Sequence, residues 1–291
     1  MKRLLIVAWK DFQDASRSRM LWGLVGLLVL LVSLIYVAIW WTVDDPAPVD
    51  IVGPASAVMQ LVVPIVAAIA GYRSVVGERQ SGSVKILLAL PPSRRDVVFG
   101  KLLGRAATLT LAILAAFVTL VFLSLVLFRS VALSEFSAIA AGSILVGLAF
   151  VGIAVGISAG VNTRGQAMAG VVGLYLVFLL FWDLITAGLY RLVVGELPGN
   201  PGDQFEAWYV FLQWLNPVEA YGILTDAVFE ESFGAFTIPI FAPQQPSAVD
   251  RVVVGEVPWY LDEWVLIPVL AAWFLVPVLL GYRRFERVDL G

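Results

Sequence analysis

Six apolar stretches dominate this sequence, at residues 20–41, 52–72, 106–128, 136–160, 167–190 and 264–282. A helix that crosses the hydrocarbon core of a bilayer needs about 20 mostly apolar residues. These stretches run to 22, 21, 23, 25, 24 and 19 residues, and the one acidic or basic side chain within them is Asp183. With 60% hydrophobic and 14% charged residues, the composition lies far from the roughly 45–50% apolar and 25% charged of soluble domains. It therefore leaves little room for a soluble enzyme. The fold class read from it is an all-α polytopic membrane protein of six transmembrane helices.

Orientation follows from where Lys and Arg fall. Residues 1–19, 73–105, 161–166 and 283–291 hold 5, 7, 1 and 3 of them, 16 in all, against 3 in residues 42–51, 129–135 and 191–263. The acids divide the other way, 6 against 15. Basic loops stay in the cytoplasm, so both termini are expected there.

Ahead of the first span, Lys2 and Arg3 precede a short apolar run, but residues 10–19 are basic again and no small-residue cleavage site follows. A signal peptide is therefore not expected. Leu5, Ala8, Trp9, Phe12 and Ala15 recur at helical spacing, with Lys10, Asp14 and Arg17 off that face. Residues 1–19 thus read as an amphipathic helix lying along the membrane surface, the alternative being a frayed basic tail. Residues 20–291 then form a single six-helix domain with a basic-side loop at 73–105 and a far-side loop at 191–263.

The inventory excludes much chemistry. With no Cys and no His, the chain has no disulfide framework, no thiolate or imidazole metal site and no Cys–His or Ser–His nucleophile pair. An intramembrane aspartyl dyad needs two buried acids, and Asp183 stands alone. No catalytic residue, metal ligand or nucleic-acid partner is expected. No G-x-x-x-x-G-K-[ST] motif occurs, and no soluble segment is large enough for a nucleotide-binding domain, so the chain is not expected to hydrolyse ATP.

The 73–105 loop carries the most information. Gly82 is a helix-breaking point after Glu78 and Arg79. Residues 83–90 are too short to span and too apolar to sit alone in water, and Pro91 and Pro92 stop them. Ser93 then occupies an N-cap position with Asp96 three residues on, a capping box with Asp in place of Glu. This describes a short helix lying across the surface, covered by a protein partner or by lipid headgroups.

The run Glu78-Arg79, Gly82-Ser83, Leu87-Leu88, Pro91, Ser93-Arg94-Arg95 and Gly100-Lys101-Leu102-Leu103-Gly104 resembles the signature of ABC-2 type transporter permeases. That resemblance, which covers nearly the whole chain, implies a type-2 exporter-like fold and a transmembrane permease subunit coupled to a separate ATPase subunit. It also implies that residues 83–90 are the coupling helix. Glu78, Gly82, Ser83, Leu87, Pro91, Arg94 and Arg95 would then be coupling residues, with Glu78 and Arg94 as polar contacts to the ATPase. ATP and Mg would be bound by that partner, none by this chain, and a second copy or a paired relative would complete twelve helices. Residues Asn216-Pro217-Val218-Glu219-Ala220-Tyr221 resemble an element of the branch that includes permeases serving nitrous-oxide reductase maturation.

The far-side loop has 11 acids, 2 bases and many aromatics. Residues 203–215 and 218–231 read as two short helices at or dipping into the outer leaflet, broken at Asn216-Pro217. They form either a cap over the exit or a lipid-anchored loop. Gly152, Gly156 and Gly160 make a small-xxx-small face for close helix packing. Asp183 lies about 12 Å below the outer end at 1.5 Å per residue. It is either a pathway residue, as an alternative stand-alone transporter or channel would require, or already at the interface. Gln60 is a weaker pathway candidate.

Overall fold

The computed structural model describes residues 2–80, 93–199, 204–227 and 249–287. Among them there is no strand, only an isolated bridge between Phe205 and Val253. Helix α1 (Lys2–Ser16) is followed by α2 (Arg19–Thr42), α3 (Pro48–Gly71), the short α4 (Val76–Gln80), α5 (Arg94–Phe128) and α6 (Leu133–Gly160). Then come α7 (Arg164–Leu176), a π-helical turn (Val177–Phe181), α8 (Trp182–Val194), α9 (Ala207–Trp214), α10 (Pro217–Asp226), α11 (Val249–Val252) and α12 (Leu266–Glu286). Six helical segments, with α7 and α8 counted as one, are long and apolar enough to cross a membrane. They match the six stretches read from the sequence.

Helix α6 is the hub. It packs on α12, α3, α5 and α10, and its window is the most buried of the six. Glycine makes this possible. A Cβ on Gly152 would lie 2.1 Å from the Phe274 carbonyl oxygen, one on Gly156 2.3 Å from that of Pro277, and one on Gly281 2.0 Å from that of Gly156. The backbones of α6 and α12 therefore touch without intervening side chains, as small residues allow between membrane helices. Gly160 continues the line: a Cβ there would lie 3.8 Å from Gly281 Cα.

The peripheral helices bury a single stripe. On α2 the buried residues are Leu21, Val25, Leu28, Val32 and Tyr36, a spacing of three and four that lays one face on the bundle and leaves the rest to lipid. Helix α5 has 35 residues, about 52 Å at 1.5 Å per residue. A hydrocarbon core of about 30 Å leaves several turns standing beyond the membrane on the basic side. The expected capping box starts it: Ser93 Oγ accepts from Asp96 N at 3.2 Å and Ser93 N donates to Asp96 Oδ2 at 2.9 Å.

Helix α1 lies on that protruding part of α5. Cβ atoms on Gly100 and Gly104 would meet Val7 Cβ at 2.8 Å and the Ala8 carbonyl oxygen at 2.8 Å. The glycines of Gly100-Lys101-Leu102-Leu103-Gly104 are thus a docking groove for α1. This adds to the amphipathic reading: the helix has two used faces. Val7, Asp11 and Ala15 are buried, whereas Leu5, Ile6 and Trp9 are exposed apolar side chains of the kind a lipid surface covers.

Candidate functional site

Five elements meet at the basic end. Lys101, 5% exposed on α5, donates to Asp11 Oδ1 of α1 at 3.3 Å and to Glu78 Oε1 of α4 at 2.7 Å. Arg105 Nε stands 2.8 Å from Asp11 Oδ2. A buried ammonium is tolerable only when it is paired and hydrogen-bonded, and here two carboxylates from different helices supply that pairing. Helix α4 is fixed from its other side by α6: Ser158 Oγ accepts from the N–H groups of Val75 and Val76, both at 3.1 Å. Arg79 donates to the Val161 carbonyl at 2.6 Å and to Asn162 Oδ1 at 3.2 Å.

The C-terminal end of α12 joins the same assembly. Arg94 donates to the carbonyls of Phe285 at 2.9 Å and Glu286 at 2.7 Å. The guanidinium groups of Arg79 and Arg94 lie 5.4 and 5.7 Å from the Phe285 ring centroid. The last carbonyls of a helix lack intrahelical donors and carry its negative dipole end, which is what an arginine satisfies. Arg95 instead covers Phe99 at 5.9 Å. Gly82, Ser83, Leu87, Pro91 and the expected coupling helix 83–90 lie outside the described residues. Glu78 and Arg94, read from the sequence as polar contacts to a partner, have partners within this chain.

At the opposite end, α9 and α10 form a re-entrant hairpin. Counted from the start of α3 at 1.5 Å per residue, Gln60 lies about 18 Å inside the bundle, and its Nε2 donates to the Val218 carbonyl at 3.0 Å. Further donors converge on the hairpin tip: Trp273 Nε1 to the Leu215 carbonyl at 2.8 Å and Trp182 Nε1 to the Leu212 carbonyl at 3.2 Å. Asn216 Oδ1 caps α10 by accepting from Val218 N at 3.0 Å, while its Nδ2 donates to the Phe178 carbonyl at 2.8 Å. Phe178 sits in the π-helical turn, a geometry that breaks the regular ladder. Tyr221 is buried between α3 and α6, donating to the Ser56 carbonyl at 3.2 Å and accepting from Ser143 Oγ at 3.4 Å. Non-helical backbone at membrane depth is tolerated only where protein satisfies it, and these side chains do so. The two short helices enter the bundle rather than resting at its surface.

Asp183 is half-buried beside this hairpin. Its Oδ1 accepts from Gln213 Nε2 at 3.3 Å, and the same amide donates to Thr186 Oγ1 at 2.7 Å. The two sequence-level pathway candidates thus both contact the hairpin, Gln60 through α10 and Asp183 through α9. Sequence reasoning missed Asp11, Ser158, Trp182, Trp273 and Tyr221 as partners, because each acts across more than 15 positions with no local spacing rule. Asn216-Pro217 was the readable signal, an N-cap residue with Pro at the first helical position.

Six spans around a glycine-lined central helix, with the first and last helices latched to one protruding helix, define a multi-pass membrane protein of the cell membrane. The sequence profile of the ABC-2 family transporter proteins matches residues 5–290, and the chain belongs to that family. Among curated relatives, the probable ABC transporter permease protein NosY of Stutzerimonas stutzeri is 27% identical over 99% of each chain. The protein of the same name from Pseudomonas aeruginosa is 26% identical over 97% of each. The chain is accordingly a permease component of an ABC transporter, a class that works with an ATPase partner and as an oligomer.

Proposed function

We propose that this chain is the membrane half of an ATP-driven exporter in which segment 83–90 docks on a separate ATPase subunit that binds ATP and Mg. Two such chains, or this one with a relative, enclose the pathway. The carrying observation is the latch at the basic end. Segment 81–92 is bounded by α4 and by α5, and both are tied through Glu78–Lys101–Asp11, Arg79 and Arg94 to α1, α6 and α12. A push on that segment is delivered through α4 and α5 to α1, α6 and α12 at once. Closure of two ATPase subunits then tilts the spans, and the re-entrant hairpin moves with α3, α8 and α12 to open the far side. Glu78 and Arg94 act as braces beside the docking segment, and both chain ends face the cytoplasm as the charge asymmetry requires.

The test is reconstitution with the cognate ATPase in liposomes. Leu87→Pro and the charge reversal Arg95→Glu should abolish stimulation of ATP hydrolysis by the permease while leaving membrane insertion intact. Wild-type stimulation in both variants would remove the docking assignment. The alternative of a stand-alone secondary transporter or channel is not favoured by membership of the ABC-2 family, and Asp183 has a structural partner in Gln213.

A further inference from the structure

Between α1, the start of α2, the end of α3 and α5 lies a cavity of about 340 Å³. At roughly 30 Å³ per water molecule it has room for a polar group well above water in size. Its cations are Arg73, Lys101, Arg105 and Arg164, and its carboxylates are Asp11, Asp14 and Glu78. Among the described residues, four positive against three negative groups leave one net positive charge. Lys101 and Arg105 are committed to Asp11 and Glu78. What remains is a set of donors. The Ser74 side chain is 1% exposed and its Oγ has no hydrogen-bond partner among the described residues. Arg164 donates through Nη2 to the Gly77 carbonyl at 3.2 Å, while its Nε is buried without a partner. Arg73, exposed at the mouth, forms no ion pair among the described residues.

An arginine N–H can only donate, so a group that completes this site brings acceptors. One net positive charge matches a monoanion. A phosphodiester carries a single negative charge, whereas inorganic phosphate and phosphomonoesters carry about 1.5 to 2 at neutral pH and would meet Asp14 at the rim. The remaining wall is apolar: Met20 and Leu21 at the start of α2 and Ile69 and Ala70 near the end of α3, where these spans leave the hydrocarbon.

We propose that this cavity binds the phosphodiester headgroup of a membrane phospholipid, held by Arg73, Arg164 and Ser74, with its acyl chains leaving past Met20 and Ile69. Such a lipid wedges between α1 and the bundle and fills polar space beside the latch.

The experiment is native mass spectrometry of the full chain, delipidated in detergent and titrated with phosphatidylglycerol, with inorganic phosphate as competitor. One lipid should bind tightly, and millimolar inorganic phosphate should not displace it. Arg73→Gln with Arg164→Gln should weaken binding by about tenfold or more, the loss of two charge-assisted contacts, while Arg191→Gln leaves it unchanged. If the double variant does not fold, Arg73→Gln and Ser74→Ala are used separately, each expected to weaken binding by a few-fold. Wild-type lipid affinity in these variants overturns the site. Displacement of the lipid by micromolar phosphate overturns the lipid assignment and makes it a free-phosphate site.

Discussion

Replacing Lys101 by Met removes a cation shared by Asp11 and Glu78. The Lys101 and Asp11 side chains are 5% and 4% exposed, so the change strands carboxylate charge in a poorly hydrated site. Breaking a buried ion pair costs about 3–5 kcal/mol. Two features lower that figure. Arg105 remains 2.8 Å from Asp11, and Glu78, 27% exposed, keeps some contact with water. The expected loss is therefore about 2–3 kcal/mol. Adding Glu78→Gln removes the second stranded charge and should restore about 1 kcal/mol. Ten tryptophans provide a fluorescence signal for unfolding by SDS titration in mixed micelles, and the four proteins of the Lys101–Glu78 cycle yield the coupling energy. A single variant within about 0.5 kcal/mol of wild type, or a coupling energy of zero, would show that the latch does not hold the basic end together.

Gly156→Val should abolish accumulation of folded protein, since its first carbon would already lie 2.3 Å from the Pro277 carbonyl oxygen, whereas Gly23→Ala, with nothing within 4 Å, should be silent; detergent gel filtration distinguishes them. Asn216→Ala loses the α10 cap and leaves the Phe178 carbonyl buried without its donor, a cost of about 2–4 kcal/mol. It should speed hydrogen exchange across 177–181, while Asn216→Asp keeps the cap and loses only the contact to Phe178. Asp183→Asn preserves an acceptor for Gln213 and should leave ATP-driven transport within about twofold of wild type, an effect of about 0.4 kcal/mol. A loss of tenfold or more would revive Asp183 as a pathway residue.

The spans were legible because about 20 apolar residues in a row have few other fates, and the start of α5 because Ser93 and Asp96 cap it through contacts three residues apart. Asn216-Pro217 announced a helix start for the same local reason. The direction of α10 was not legible. Residues 218–231 read as a short helix at or dipping into the outer leaflet, and contacts to Gln60, Ser56 and Ser143, distant in sequence, set Val218 and Tyr221 into the core. Trp182 shows the limit well: beside Asp183 it reads as an interfacial marker, yet its indole N–H is used on the Leu212 carbonyl. At the basic end Glu78 and Arg94 were singled out by position as contacts to a partner, but their partners within the chain, Lys101 and the Phe285 carbonyl, depend on how α5 meets α4 and α12. Gly100 and Gly104 were visible as a motif, and their purpose became clear once α1 lay 2.8 Å from where their side chains would begin.

Coupling to a separate ATPase is the centre of this account, and purification of the tagged chain from its own membranes in mild detergent tests it most directly. The account predicts a co-purifying subunit in equal amount that carries a phosphate-binding lysine motif and binds ATP, and its loss from the Leu87→Pro variant although that variant is inserted and folded. Recovery of the chain without any such subunit, under conditions that preserve other membrane complexes, would contradict it.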